Sequence, residues 1–126
     1  MALAYPPLKP CPCGSGRSYS NCCGPFHSGV ALPSSPEALM RARYSAYALR
    51  DEAFVLDTWH PHTRPTSMDL HDGTRYLGLK VHGASDHEVT FTASLRLPGG
   101  ERAHLRERST FAQVDGRWVY VDGVQP

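Results

Sequence analysis

The 126-residue chain lacks most features that announce a chemistry. No stretch approaches 18 consecutive apolar residues, so the sequence offers no membrane-spanning helix. Its first ten residues, MALAYPPLKP, hold no apolar run of ~7–15 residues of the kind an export signal needs. Charge of one sign is also missing. Thirteen basic against twelve acidic residues leave a net charge of +1, so no global field draws the protein to nucleic acid or anionic lipid. Lysine is scarce, two residues against eleven arginines, a bias that a GC-rich genome produces as readily as phosphate recognition does. Glycine-rich phosphate loops, a nucleophile elbow and the H-E-x-x-H signature are all absent. His60 and His62 flank a proline with no third ligand nearby in sequence, a weak metal signal.

Cysteine is limited to four residues, all within Cys11–Cys23, in the stretch CPCGSGRSYSNCC. A polar segment this short has no core in which to bury four thiols, so they need something to hold. A tetrahedral zinc ion accepts four thiolates at about 2.3 Å and then has no open coordination position. Glycines 14 and 16 allow the tight turn after the first pair. Four thiolates on a dication leave a charge of about −2, which Lys9 and Arg17 partly offset. A disulfide between the neighbours Cys22 and Cys23 would close a strained ring, and the two tight pairs leave little room for an iron–sulfur cluster. The favoured ligand set is Cys11, Cys13, Cys22 and Cys23. Replacement of Cys23 by His27 is the alternative. Clustered metal-ready thiols suit a reducing compartment, and the cytoplasm is the expectation.

Around this cluster the chain divides into residues 1–27, a linker at 28–35, and a larger domain at 36–126. Residues 1–10 read as extended, and Tyr19 as the residue that packs the small cysteine-bearing unit. Phe26, Val30 and Leu32 are too apolar for a free tether, so part of the GPFHSGVALPSS segment is expected to lie along the main domain. Ser35 as N-cap, Pro36 in the first turn and Glu37 at the positive dipole end predict a helix. It carries Leu39, Met40, Ala42, Tyr44, Ala46 and Tyr47 on one arc, with Arg43 inside that arc. A shorter helix is predicted over 51–59, ended by Pro61, with one helical turn near 67–70.

From Thr74 the period changes to two. Leu77, Leu79 and Val81 share one face; Val89, Phe91, Ala93, Leu95 and Leu97 share another. A third strand runs over 102–114, Asp115-Gly116 signals a hairpin, and the last strand spans 117–122. Helices followed by an antiparallel meander give an α+β fold, with helices on one face of a curved sheet. In the third strand Glu107 shares the inner face with Leu105 and Phe111, where an ionised carboxylate is costly without a partner. Arg43 is the expected partner and Arg64 the alternative. A structural ion pair is the plainer reading; the sharper one is a pocket in which Glu107 serves as base or anchor, walled by Arg43, Tyr44, Tyr47, Trp59 and His60.

The segment CPCGSGRSYSNCCG resembles the SEC-C motif, the zinc knuckle of the translocation ATPase SecA. The SecA version usually ends Cys-His, whereas this one ends Cys22-Cys23. Together with GPFHSG, PEALMRARYSAY (36–47), TWHPHTR (58–64), ERSTF (107–111) and RWVYVDG (117–123), that ending is similar to the YchJ family. There a SEC-C motif precedes a cystatin-like, nuclear transport factor 2-like (NTF2-like) domain. Some relatives carry a second SEC-C motif at the C-terminus, which residues up to Pro126 do not contain.

The resemblance implies Zn²⁺ as the bound ion. It also implies a non-enzymatic adaptor whose knuckle docks to protein-translocation machinery, a SecB-like chaperone or the ribosome. The alternative is small-molecule binding or catalysis around Glu107. Nucleic-acid binding through the knuckle with Arg102, Arg106 and Arg108 is a weaker third option, since no aromatic residues interleave there for base stacking.

Overall fold

The structure is a computed structural model that describes residues 5–126. The expectation for the extreme N-terminus, residues 1–4, lies outside the described residues. Residues 5–10 turn back instead of extending: the Lys9 amide donates to the Pro6 carbonyl, and Pro10 bridges Ser18. A 3-10 turn at Tyr19–Asn21 leads into a five-residue helix α1 at Gly24–Ser28, where Pro25 occupies the first turn. Part of the segment lies along the domain as expected: Phe26 packs against the core, and Ala31, Leu32 and Pro33 border a pocket with Phe54 and Trp118, while Val30 is 83% exposed. With Gly29 in the left-handed conformation, α1 ends and the chain turns, leaving the Val30 side chain in solvent.

Helix α2 spans Pro36–Leu49 and α3 spans Glu52–Asp57. Both begin as their caps dictate: Ser35 Oγ accepts from the Ala38 amide at 3.1 Å and Asp51 Oδ1 from the Phe54 amide at 3.1 Å. Residues 67–70 form no helical turn. Leu70 is held there as buried coil, its amide donating to Glu52 Oε1 at 3.2 Å.

Four strands follow, β1 Arg75–Ala84, β2 Glu88–Arg96, β3 Arg102–Val114 and β4 Arg117–Val124. They form one antiparallel meander in the order β1-β2-β3-β4. The β3–β4 hairpin turns at Asp115 and Gly116, both at positive φ, as an Asp-Gly turn requires. The β2–β3 ladder runs without a register break from Glu88↔Thr110 to Arg96↔Arg102. β1 departs from simple alternation. A bulge between Tyr76 and Gly78 puts Leu77 outside, 46% exposed, and turns Tyr76 inward against Tyr44. Leu97 lies beyond the end of β2 and is also exposed.

α2 lies against the sheet, contacting β1, β2 and β4. The main core joins Leu39, Met40, Ala42 and Tyr44 of α2 to Val89, Ala93 and Phe111 of the sheet. All four cysteines belong to that same core. A second, smaller cluster of Ala46, Val55 and Leu70 fixes α3 on the other side of α2.

Candidate functional site

The four cysteine side chains are buried, and their sulfurs all lie within 4.8 Å of one another. A tetrahedron with Zn–S bonds of about 2.3 Å has S···S edges of about 3.8 Å. The Cys13–Cys22 and Cys22–Cys23 sulfur separations are 3.5 and 3.9 Å, which match that edge. The residues present therefore fit a four-thiolate metal site. Their mutual electrostatics point the same way. Hydrogen bonds from the Cys13 and Cys23 thiols hold Cys11 far below the ordinary thiol range, while the negative Cys11 sulfur and burial push Cys13 and Cys23 up. Ionising one sulfur opposes ionising the next, and a central dication removes the conflict.

Local backbone makes this possible. Gly14 and Gly16 take φ of 78° and 86°, the Gly14 amide donates to the Cys11 carbonyl, and the Cys11 amide to the Arg17 carbonyl. Polar groups then surround the sulfurs. Ser15 Oγ lies 3.1 Å and Arg17 Nη2 3.8 Å from Cys22 Sγ, and Ser45 Oγ of α2 lies 3.5 Å from Cys11 Sγ. Arg41, also on α2, donates from Nη1 to the Cys13 carbonyl at 3.1 Å and is held by Glu37. Sequence reasoning missed Arg41 and Ser45. The available signal was Ser45 itself, a polar residue beside Ala42 and Ala46 on a small-residue stripe where another backbone approaches.

His27, the alternative ligand, faces elsewhere. Its Nε2 lies 2.8 Å from the Ala42 carbonyl, which only accepts, and its Nδ1 lies 2.6 Å from the Tyr19 hydroxyl. Both ring nitrogens are thereby occupied, and His27 pins the cysteine-bearing segment to α2 while Tyr19 packs beneath it.

A second feature lies on the opposite side of α2. A cavity of about 220 Å³ separates α2 from the inner sheet face, bordered by Arg43, Tyr44 and Tyr47 of α2 and by Leu105 and Glu107 of β3. Trp59 and His60, expected as walls, do not line it. Trp59 sits behind Arg43, and the His60 amide donates to the Tyr120 carbonyl, which ties the end of α3 to β4. Among the described residues, His60 and His62 join no cluster of metal-ligating side chains.

The expected Arg43–Glu107 ion pair does not form. Arg43 turns towards α3, where its Nη1 donates to the Val55 carbonyl at 2.7 Å and Thr58 Oγ1 at 2.8 Å. Its guanidinium lies 4.5 Å from the Tyr120 ring centroid and 5.0 Å from that of Trp59. Glu107 is half-buried; its Oε2 accepts from Ser109 Oγ at 2.5 Å and the Tyr120 hydroxyl at 3.4 Å. Arg64 is exposed and donates to the Trp59 carbonyl. Arg102, Arg106 and Arg108 lie exposed on the outer sheet face, with Arg108 facing Glu88 at 3.8 Å.

Comparison with known proteins matches both parts of the chain. The SEC-C motif model matches residues 9–25, and the model described as "YchJ, middle NTF2-like domain" matches residues 35–123. A UPF0225 protein of Deinococcus radiodurans is 57% identical over 96% of this chain and 93% of its own length. One from Streptomyces coelicolor is 48% identical over 93% and 96%. The solution structure of a SEC-C motif containing protein from Rhodopseudomonas palustris superposes with a TM-score of 0.82 at 36% identity, covering 94% of this chain and 99% of that one. A crystal structure of a SEC-C motif containing protein from Psychrobacter arcticus, at 23% identity and a TM-score of 0.72, shares the fold over 92% of this chain and 82% of that one. The chain belongs to the YchJ family, also called UPF0225: an NTF2-like domain with a SEC-C cysteine cluster at its N-terminal end.

Proposed function

We propose that the protein is a zinc-stabilised, non-enzymatic adaptor of the cytoplasm that docks to a protein partner through the surface around its cysteine cluster. The observation that carries the metal half is the fit of four buried sulfurs to one tetrahedron. Soft thiolate ligands in that geometry favour Zn²⁺, and four of them leave no position for substrate or water, so the ion is a scaffold. Reduced thiols at this site also favour a reducing compartment.

The docking half is supported by where large apolar side chains meet solvent. Leu8, Val30 and Leu32 are among the most exposed, and all three flank the cysteine-bearing segment. Translocation machinery, a SecB-like chaperone and the ribosome are the partner classes implied by resemblance to SecA.

Elemental analysis of the purified, reduced protein is expected to give one zinc per chain; a different metal, or none, refutes the zinc assignment. Purified SecB-type chaperone and purified ribosomes are then titrated with wild type, a Val30→Asp/Leu32→Asp variant and a Cys22→Ser/Cys23→Ser variant. One partner is expected to bind wild type and to lose tenfold or more with the apolar variant, which keeps its metal. Binding to neither partner, or binding insensitive to both variants, removes the adaptor reading.

A further inference from the structure

We infer that the cavity between α2 and the sheet is a binding site for a small carboxylic acid with an apolar, single-ring body and a hydroxyl or amino group at its far end. This goes beyond the metal-centred reading and stands without it.

The argument begins with Arg43. It is only 6% exposed and borders the cavity, yet among the described residues no carboxylate comes within 4.0 Å of it. One edge is satisfied by Val55 and Thr58 through Nη1. Of the remaining N–H groups on Nε and Nη2, the Tyr47 hydroxyl engages one and the others have no hydrogen-bond partner among the described residues. The Trp59 and Tyr120 rings pack against the guanidinium. A buried cation held in place with donors to spare is half of a recognition site. Its natural complement is a carboxylate, which a guanidinium holds through two parallel N–H donors.

Glu107 supplies the constraint on the other group. It borders the same cavity, is not paired with Arg43, and only its Oε2 is engaged, by Ser109 and Tyr120. A ligand that were purely anionic would meet this carboxylate unfavourably. One that also brings a hydroxyl or ammonium hydrogen to Glu107 satisfies both charges. Between them the walls are apolar, formed by Met40, Phe91, Leu95 and Leu105. A volume of about 220 Å³ corresponds to about seven waters at ~30 Å³ each, and falls below the ~300–1,000 Å³ of drug-sized sites. It suits one substituted ring.

The test titrates isotope-labelled, metal-loaded full-length protein with 4-hydroxyphenylacetate, phenylacetate and tyramine, following backbone amide signals. 4-Hydroxyphenylacetate should shift the Phe91, Leu105 and Tyr120 amides saturably. Phenylacetate, without the donor, and tyramine, without the carboxylate, should each bind about tenfold more weakly or worse. Arg43→Lys should weaken both carboxylates and leave tyramine unchanged, a pattern that mere loosening of the fold does not produce. Ala93→Met, which fills the cavity from β2, should abolish binding with the spectrum otherwise native. Absence of saturable shifts with all three probes, equal affinity for all three, or full binding by a folded Ala93→Met variant overturns the inference.

Discussion

Removing the metal should destabilise the whole chain and not only its N-terminal segment. Cys11, Cys13, Cys22 and Cys23 are members of the same core as Leu39, Ala42, Tyr44, Val89 and Phe111, so no boundary separates the cysteine cluster from the sheet. Three polar anchors, Arg41, Ser45 and His27, reinforce that join. Stabilisation by an ion that binds only the folded state is RT ln(1 + [L]/Kd), or about 4 kcal/mol when free zinc stands at ~1,000 times Kd. For a domain of this size, roughly 3–5 °C per kcal/mol converts this to a drop of about 12–20 °C in Tm. The assay is thermal unfolding followed by the fluorescence of Trp59 and Trp118, both outside the cysteine segment, with and without a strong chelator. Metal loss is verified by elemental analysis of the same samples. One cooperative transition moving by that amount is expected. A tryptophan transition that stays put after the metal has gone would mean that the knuckle is an appendage, and the shared-core argument would fail.

Leu39→Ala removes a fully enclosed α2 side chain from the core shared by the cysteines and the sheet and should cost about 3–5 kcal/mol in urea unfolding; a loss below ~1 kcal/mol would contradict its place in the core. A Cβ at Gly123 would collide with the Glu107 carboxylate, so Gly123→Ala should cost about 1–3 kcal/mol alone and much less in a Glu107→Ala background. Additivity of that pair would show that the two do not touch. Alkaline stability tests Tyr44, whose hydroxyl is pushed by burial from 10.0 to about 12, with partial relief from the Gly78 backbone. The unfolded state then releases this proton near pH 10 while the folded state keeps it to about pH 12. Its contribution, about 2–3 kcal/mol, is full below pH 10 and is lost as pH rises to 12. Tyr44→Phe should remove that part of the alkaline decline, and an unchanged unfolding profile between pH 10 and 12 would refute it.

Much of the fold was legible because local chemistry and pattern agree. Ser35, Pro36 and Glu37 mark the start of α2, Asp115-Gly116 fixes the last hairpin, and strict alternation delimits β3. Leu77 was misplaced because a one-residue bulge reverses every face assignment on its N-terminal side, and nothing in the alternation marks where it falls. The cysteine grouping was legible from spacing alone. Its attachment to α2 was not, since Arg41 and Ser45 act across 28 and 34 residues of chain. The Arg43–Glu107 pair failed for a related reason: placing both residues on inward faces says nothing of backbone acceptors. The Val55 carbonyl at 2.7 Å answers the guanidinium before any carboxylate does.

α2 has a different neighbour on each flank: Arg41, Ala42 and Ser45 hold the sulfur-bearing segment, while Arg43, Tyr44 and Tyr47 border the hollow. A helix of 14 residues cannot shift on one flank without carrying the other. An occupant of the hollow that shifts α2 would therefore change how firmly the cysteines hold a metal, and by thermodynamic reciprocity the metal would change that occupant's affinity by the same factor.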